Sequence, residues 1–310
     1  MFIDVHAHAY LKPSPFPQQF PNAEQVIARY DECGIEMGCL LPVVNSEIYL
    51  PQSNEEILSM AEKYPDRIIP FCNVDPRALS NSPFAPLDKV LAYYKDLGCR
   101  GVGEIMPNLR TDDDRVQNLF RCAEKVGLPV TWDGSDRTHS DFGLQDDPGI
   151  PQFAHTLARF PNLTVFAHGP IFWSELGQLP MPSQRKPVFD TNGDYTYQDF
   201  INIPKVKFTD EGIVPKMFRM YPNLLGELSD ACRMLECDPD FGAAFLTEFQ
   251  DRLFFGTDFC GVGQDFTLIT LLLKWRDEKR ISEKVFRKIA RENAIKFFDL
   301  PLAIEPDCAD

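Results

Sequence analysis

The sequence predicts an α/β chain folded as a (β/α)8 TIM barrel, with a long insertion after strand six and a closing C-terminal helix. Three observations lead there. A helix-to-strand junction recurs at Lys63-Tyr64-Pro65-Asp66-Arg67, Arg159-Phe160-Pro161-Asn162-Leu163 and Met220-Tyr221-Pro222-Asn223-Leu224, with a looser copy at Phe249-Gln250-Asp251-Arg252-Leu253. Most strand starts lie ~30 residues apart, the size of one βα unit. The alternative, an open doubly wound sheet, would favour a Gly-rich phosphate loop after the first strand, and none is there.

Each junction carries its own physics. Proline disfavours helix for the residue before it, so the amphipathic stretch stops there. Asn or Asp makes the turn, and a short β-rich run follows. In chain order, strand Phe2–His6 precedes helix Ala23–Cys33, and strand Gly38–Val44 precedes helix Asn54–Lys63. Strand Ile68–Val74 precedes helix Pro86–Leu97, and strand Cys99–Ile105 precedes helix Asp113–Val126. Strand Leu128–Asp133 precedes helix Gln152–Arg159, and strand Leu163–His168 leads through the insertion to helix Gly212–Met220. Strand Leu224–Ser229 precedes helix Pro239–Gln250, and strand Arg252–Asp258 precedes helix Phe266–Arg276. A further helix, Ser282–Phe298, closes the chain, so residues 1–310 read as a single barrel domain. The insertion, Gly169–Glu211, follows a strand end and is expected on the face that carries function, as a lid over the pocket. Its aromatics, Phe172, Trp173, Phe189, Tyr195, Tyr197 and Phe200, argue for packing rather than disorder. Pro13–Pro21 is a second loop on that face.

Composition narrows the function classes. With 310 residues, 44% apolar and 25% charged, the chain is globular and long enough to fold without disulfide or metal staples. Its net charge of −15 repels phosphate backbones, so neither a nucleic acid nor an anionic membrane surface is an expected partner. The expected partner is a small-molecule substrate, and a homo-oligomer is left open. Nine cysteines without framework spacing point to a reducing compartment, and the first residues lack a signal core, so a cytoplasmic location is expected.

The chemistry sits at strand ends. In Asp4-Val5-His6-Ala7-His8, strand alternation puts Asp4, His6 and His8 on one face and Val5 and Ala7 on the other. Two imidazoles two residues apart on one face can both reach one metal ion. Strand four ends in Glu104, strand five in Asp133, strand six in His168 and strand eight in Asp258. A barrel gathers these ends around one pocket. Without a metal, such a buried set would be a costly group of unpaired charges. Arg110, Arg137 and His139 lie in loops just past strand ends and Asp230 just past strand seven, where each is placed to contact substrate. His155 falls on an outer helix, and Cys33, Cys39, Cys72, Cys99 and Cys122 read as small buried hydrophobes.

The order of the HxH strand, the Leu128-Pro129-Val130 strand, Phe160-Pro161-Asn162-Leu163 through His168-Gly169, and Arg252-Leu253 through Gly256-Thr257-Asp258 resembles the amidohydrolase superfamily. It is most similar to the amidohydrolase-related branch that includes aminocarboxymuconate-semialdehyde and resorcylate decarboxylases. The resemblance implies a barrel with a divalent metal, usually zinc, at the strand C-termini. It implies His6 and His8 as ligands, Asp258 as ligand and proton carrier, and His168 as a ligand or an acid–base group. The family's strand-five histidine is replaced by Asp133, a harder donor that opens the site to manganese or magnesium. Glu104 resembles the strand-four glutamate ligand of the deoxyribonuclease-like branch, which would offset that loss and leaves room for two metals. The expected activity is hydrolysis of a small polar or carboxylated molecule on a metal-activated water. The alternatives are a non-oxidative decarboxylase and a barrel that has lost catalysis and only binds.

Overall fold

The computed structural model describes residues 1–12, 20–47, 51–135, 143–179 and 205–304. Its parallel strands are β1 (Phe2–Ala7), β2 (Ile35–Leu40), β3 (Ile68–Pro70), β4 (Val102–Ile105), β5 (Val130–Ser135), β6 (Val165–His168), β7 (Leu224–Glu227) and β8 (Leu253–Phe254). One sheet runs β1-β2-β3 and the other β8-β7-β6-β5-β4. Backbone bonds join the two at both seams. Gly103 N–H donates to Cys72 O at 2.9 Å, and on the other side Val5 N–H reaches Phe255 O at 3.0 Å and His8 N–H reaches Phe259 O at 3.1 Å. The ring therefore runs in chain order, as the spacing predicts, and all strand C-termini point to one end.

The helices alternate with the strands: α1 (Ala23–Cys33), α2 (Asn54–Lys63), α3 (Leu87–Asp96), α4 (Asp114–Val126), α5 (Pro151–Arg159), α6 (Ile213–Met220), α7 (Pro239–Glu248) and α8 (Thr267–Asp277). Asn22 with Gln25 and Ser53 with Glu56 form capping boxes that start α1 and α2. The residue before each junction proline, Tyr64, Phe160 and Tyr221, is the C-cap of α2, α5 and α6. The junctions also brace one another. The Asn223 amide donates to the carbonyls of Leu157, Phe160 and Leu163 at 3.2, 3.0 and 3.1 Å, so one turn ties off its neighbour.

Several elements differ from the sequence expectation, three of them for a local reason. β2 starts at Ile35 rather than Gly38, because Gly34 ends α1 in the left-handed region at φ 70° and turns the chain straight into the strand. β8 stops at Phe254, and the chain onward to Asp258 pairs irregularly with β1 instead of continuing the ladder. The closing helix is not continuous: α-helix at Glu283–Arg287 passes into a π-turn at Lys288–Glu292 and back to helix at Asn293–Phe298. The cause is local. Ile289 O accepts Phe255 N–H at 3.0 Å, so the helix yields one carbonyl to the end of β8.

Two apolar clusters hold the barrel. One packs helices onto the outer strand faces; the other joins Ile3, Val5, Cys39, Phe71, Phe166 and Phe254 to Ile295 and Phe298 of the closing helix. On β1 and β6, Ile3, Val5 and Phe166 precede the polar strand ends, so the second cluster plugs the barrel below the site. After β6 the chain forms a short helix at Pro170–Ser174, and Gly177–Gln178 pairs antiparallel with Asp210–Glu211. Phe172 and Trp173 are buried, as the aromatic content implies. Residues 180–204, with Phe189, Tyr195, Tyr197 and Phe200, lie outside the described residues. No helix among the described residues is long and apolar enough to cross a membrane.

Candidate metal centre

The end of β1 departs from simple alternation. The register with β2 shifts between Asp4 and Ala7, and this irregularity turns His6 and His8 toward the pocket together. Asp4 does not join them, contrary to the alternation reading, and Val5 packs in the cluster that plugs the barrel rather than against the outer helices. The Asp4 carboxylate accepts from Tyr30 Oη at 2.7 Å, Thr257 Oγ1 at 2.5 Å, and the backbone N–H of His6 and Thr257 at 3.0 Å each. It thus pins β1 to α1 and to the β8 exit. Tyr30→Phe is expected to lower the free energy of unfolding by about 1.5–3 kcal/mol, the usual worth of a hydrogen bond to a charged group. Urea melts at pH 8 with an unchanged slope check this; a loss under about 0.5 kcal/mol would show that Tyr30 does not hold Asp4.

Four side chains then converge. The Nε2 atoms of His6 and His8 face each other at 3.1 Å. Glu104 Oε2 lies 3.5 Å from His6 Nε2 and 3.4 Å from His8 Nε2. Asp258 Oδ1 lies 3.7 Å and 3.3 Å from the same two atoms. Tetrahedral coordination at 2.0–2.2 Å requires ligand atoms roughly 3.3–3.6 Å apart. The observed separations scatter about that range, so His6, His8 and Glu104 fit one divalent cation, with Asp258 beside both imidazoles and also grouped with His168 and Asp230. Local structure aims each donor. His8 Nδ1 sits 2.8 Å from Leu41 O, and since a carbonyl only accepts, Nδ1 carries the proton and the neutral ring keeps a lone pair on Nε2. Asn73 Nδ2 donates to Glu104 O at 2.6 Å and to Pro42 O at 2.9 Å, tying β4 to the end of β2. Asp258 adopts φ 45°, a left-handed conformation that aspartate tolerates better than most residues, and its N–H donates to His6 O at 2.8 Å.

A second arc of donors lies across Glu104. His168 Nε2 is 3.3 Å from Glu104 Oε1 and 3.7 Å from Asp230 Oδ2. Asp133, in register with His168 and buried, groups with Glu104 and His168 rather than with His6 and His8. Its place on that side corrects the expectation that it completes the HxH pair's ligand shell.

The electrostatics follow from this crowding. Burial and the His168 charge pull His6 down, but Glu104 and Glu227 outweigh them and push it up to about 10. Burial lowers His168, yet the same two carboxylates hold it well above its ordinary value. Burial raises Glu104, and the three imidazoles more than reverse this, holding it well below the usual carboxylate range. Burial, then Glu104, keeps Asp133 far above that range. Burial also pushes Asp230 to about 7 against the pull of His168. Left to itself the cluster binds protons, and a cation entering it would displace them.

One expected substrate contact lies elsewhere. Arg110 is half-exposed and pairs with Asp112 at 2.9 Å and Asp147 at 3.5 Å, away from the cluster. Arg137 and His139 fall outside the described residues. His155 is exposed on α5 as expected, and Cys39, Cys72, Cys99 and Cys122 are buried.

The sequence reading missed Glu227, at the end of β7. Its Oε2 lies 3.2 Å from His6 Nδ1 and 2.5 Å from His168 Nδ1. The signal was present: a carboxylate in an otherwise apolar strand, at the level where the neighbouring strand carries His168. A second signal is Gly256. A Cβ there would stand 1.9 Å from Glu227 Oε1, so only glycine leaves room for the carboxylate.

A parallel barrel whose strand C-termini gather imidazoles and carboxylates defines a class of strand-end metal-site barrels. The chain belongs to the amidohydrolase family, which matches residues 3–300. No curated protein matches it. Among solved structures it is similar to a TIM-barrel protein from Bordetella bronchiseptica (TM-score 0.62, 17% identity, covering 96% of this chain and 98% of that one). It is similar to a probable 2-pyrone-4,6-dicarboxylic acid hydrolase from Acinetobacter baumannii (TM-score 0.57, 15% identity, 96% and 99% covered). It is also similar to a 5-carboxyvanillate decarboxylase from Novosphingobium aromaticivorans in complex with manganese (TM-score 0.51, 17% identity, 90% and 81% covered).

Proposed function

We propose that this chain is a metal-dependent hydrolase of small polar or carboxylated molecules, with a divalent cation held by His6, His8, Glu104 and Asp258. The observation that carries the reading is the donor set itself: two imidazole nitrogens 3.1 Å apart, each 3.3–3.7 Å from a carboxylate oxygen of Glu104 and from one of Asp258. Two nitrogens and two oxygens suit zinc, with manganese and magnesium as harder alternatives. When bound, such an ion lowers the pKa of a water it holds and polarises a substrate carbonyl. Asp258 is the donor open to the pocket, its side chain 27% exposed where the other three are 0–4%. It accepts the proton of the attacking water and hands it to the leaving group. His168 and Asp230, on the far side of Glu104, hydrogen-bond the substrate oxygen on which charge develops. A cytoplasmic setting suits the free thiols of the described residues.

Decarboxylation is the second reading, favoured by the likeness to 5-carboxyvanillate decarboxylase. There the bond from a ring or diene carbon to its carboxyl group breaks, carbon dioxide leaves with neither electron pair nor proton, and His168 or Asp258 protonates the carbon. Incubating the zinc- and manganese-loaded protein with lactones, amides and aromatic acids separates the two. Hydrolysis consumes water and yields a new carboxylate without gas; carbon dioxide release from the acids would replace the first reading by the second. Protein that binds no divalent ion would defeat both.

Asp133→His exchanges a carboxylate for an imidazole beside His168. It replaces an oxygen donor beside Glu104 with a softer nitrogen donor, so the ratio of zinc to manganese affinity is expected to rise. Competition binding of the two ions reads that ratio, and an unchanged value would mean that Asp133 has no part in ion selection.

A further inference from the structure

Glu227 has no role in the reading above, yet it is among the most buried charged groups of the chain, at 1% exposure. A lone carboxylate in that position would be costly, and here every contact it makes is a donor. Oε1 accepts Ser229 N–H at 2.7 Å. Oε2 accepts Ser229 Oγ–H at 2.7 Å and faces His6 Nδ1 at 3.2 Å and His168 Nδ1 at 2.5 Å. One oxygen therefore meets two imidazoles from two different strands. One of those imidazoles belongs to the four-donor set and the other to the arc across Glu104.

We propose that Glu227 is a positioning residue that fixes His6 and His168 in the same orientation, with hydrogen held on Nδ1 and Nε2 directed at Glu104. The argument is one of proton inventory. A carboxylate offers only acceptors, so both Nδ1 atoms must carry hydrogen. Each ring then presents Nε2 to Glu104, 3.5 Å from Oε2 in His6 and 3.3 Å from Oε1 in His168, and any proton held there is the one an entering cation would displace. Because one atom serves both rings, the two cannot reorient independently. His8 needs no such help, since Leu41 O fixes it from the backbone.

Glutamine is the discriminating substitution, because an amide cannot satisfy both ends of this network. Ser229 N–H is a fixed donor, so it claims the amide oxygen of Glu227→Gln. The amide NH2 then faces the two Nδ1 atoms, which must become acceptors, and the protons move to Nε2, into the centre. In the opposite orientation the NH2 abuts Ser229 N–H and one donor is left unpaired.

The proposal rests on His6 as a cation ligand only for its affinity readout, and the test keeps the two apart. Nitrogen and proton NMR of 15N-histidine-labelled protein should show strongly downfield Nδ1–H protons on His6 and His168, with or without zinc. Glu227→Gln should abolish both and weaken zinc binding by about 10- to 100-fold, the usual cost of losing an outer partner of a ligand histidine. Wild-type protein lacking Nδ1–H on either ring overturns the proposal, and this needs no variant to fold. So does a Glu227→Gln protein with wild-type signals and zinc affinity. Downfield signals lost in the variant, in a protein that binds no zinc, would sustain Glu227 and defeat the metal reading alone.

Discussion

Alanine at His6 or His8 is expected to strip the chain of its divalent cation while leaving the barrel folded. Each imidazole supplies one of four donors, and the three that remain include two carboxylates already short of positive charge. Loss of an outer partner alone costs about 10- to 100-fold in metal affinity, so loss of a donor should exceed 100-fold. The fold should survive because the strand pairing and the plug of Ile3, Val5, Phe166 and Phe254 below the site do not involve these rings. Elemental analysis after gel filtration, beside far-ultraviolet circular dichroism, reads both halves of the expectation. Full occupancy in both variants would remove His6 and His8 from the metal site.

Asp258→Asn should leave the chain folded and cut kcat by at least ~100-fold on any substrate the wild type turns over, the usual scale for an acid–base group. The amide keeps an oxygen near His8 but cannot take a proton from water. KM should move far less than kcat, since the loss falls on the transition state. Wild-type turnover in the variant would mean that another group, with Asp230 the nearest to hand, carries the proton. The prediction is sharpened by backbone geometry: Asp258 N–H is bonded to His6 O at 2.8 Å, so the variant's side chain starts from the same place.

The legible part of the site was the part written as strand ends. His6, His8, Glu104, Asp133, His168 and Asp258 stand where β-rich runs stop, and a closed parallel barrel brings such positions to one rim whatever lies between them. Two things were hidden. Alternation placed Asp4 with the histidines, but a register shift costs one residue of phase and reverses every side chain beyond it. Glu227 hid inside a repeated junction phrase, because its partners, His6 and His168, are 221 and 59 residues away and no local pattern marks that meeting.

By itself the sequence determined the alternation of strands and helices, their order, and which residue types reach the strand tips, since these follow from local propensity, proline stops and period. Tertiary structure alone decided which oxygen of Glu104 faces which imidazole, that Arg110 is held by Asp112 and Asp147 at the surface, and that the closing helix breaks at Ile289 to meet Phe255. The physical reason is that hydrogen bonds and ion pairs are directional over a few ångströms. Their partners are chosen by how the ring closes in space, which separation along the chain does not encode.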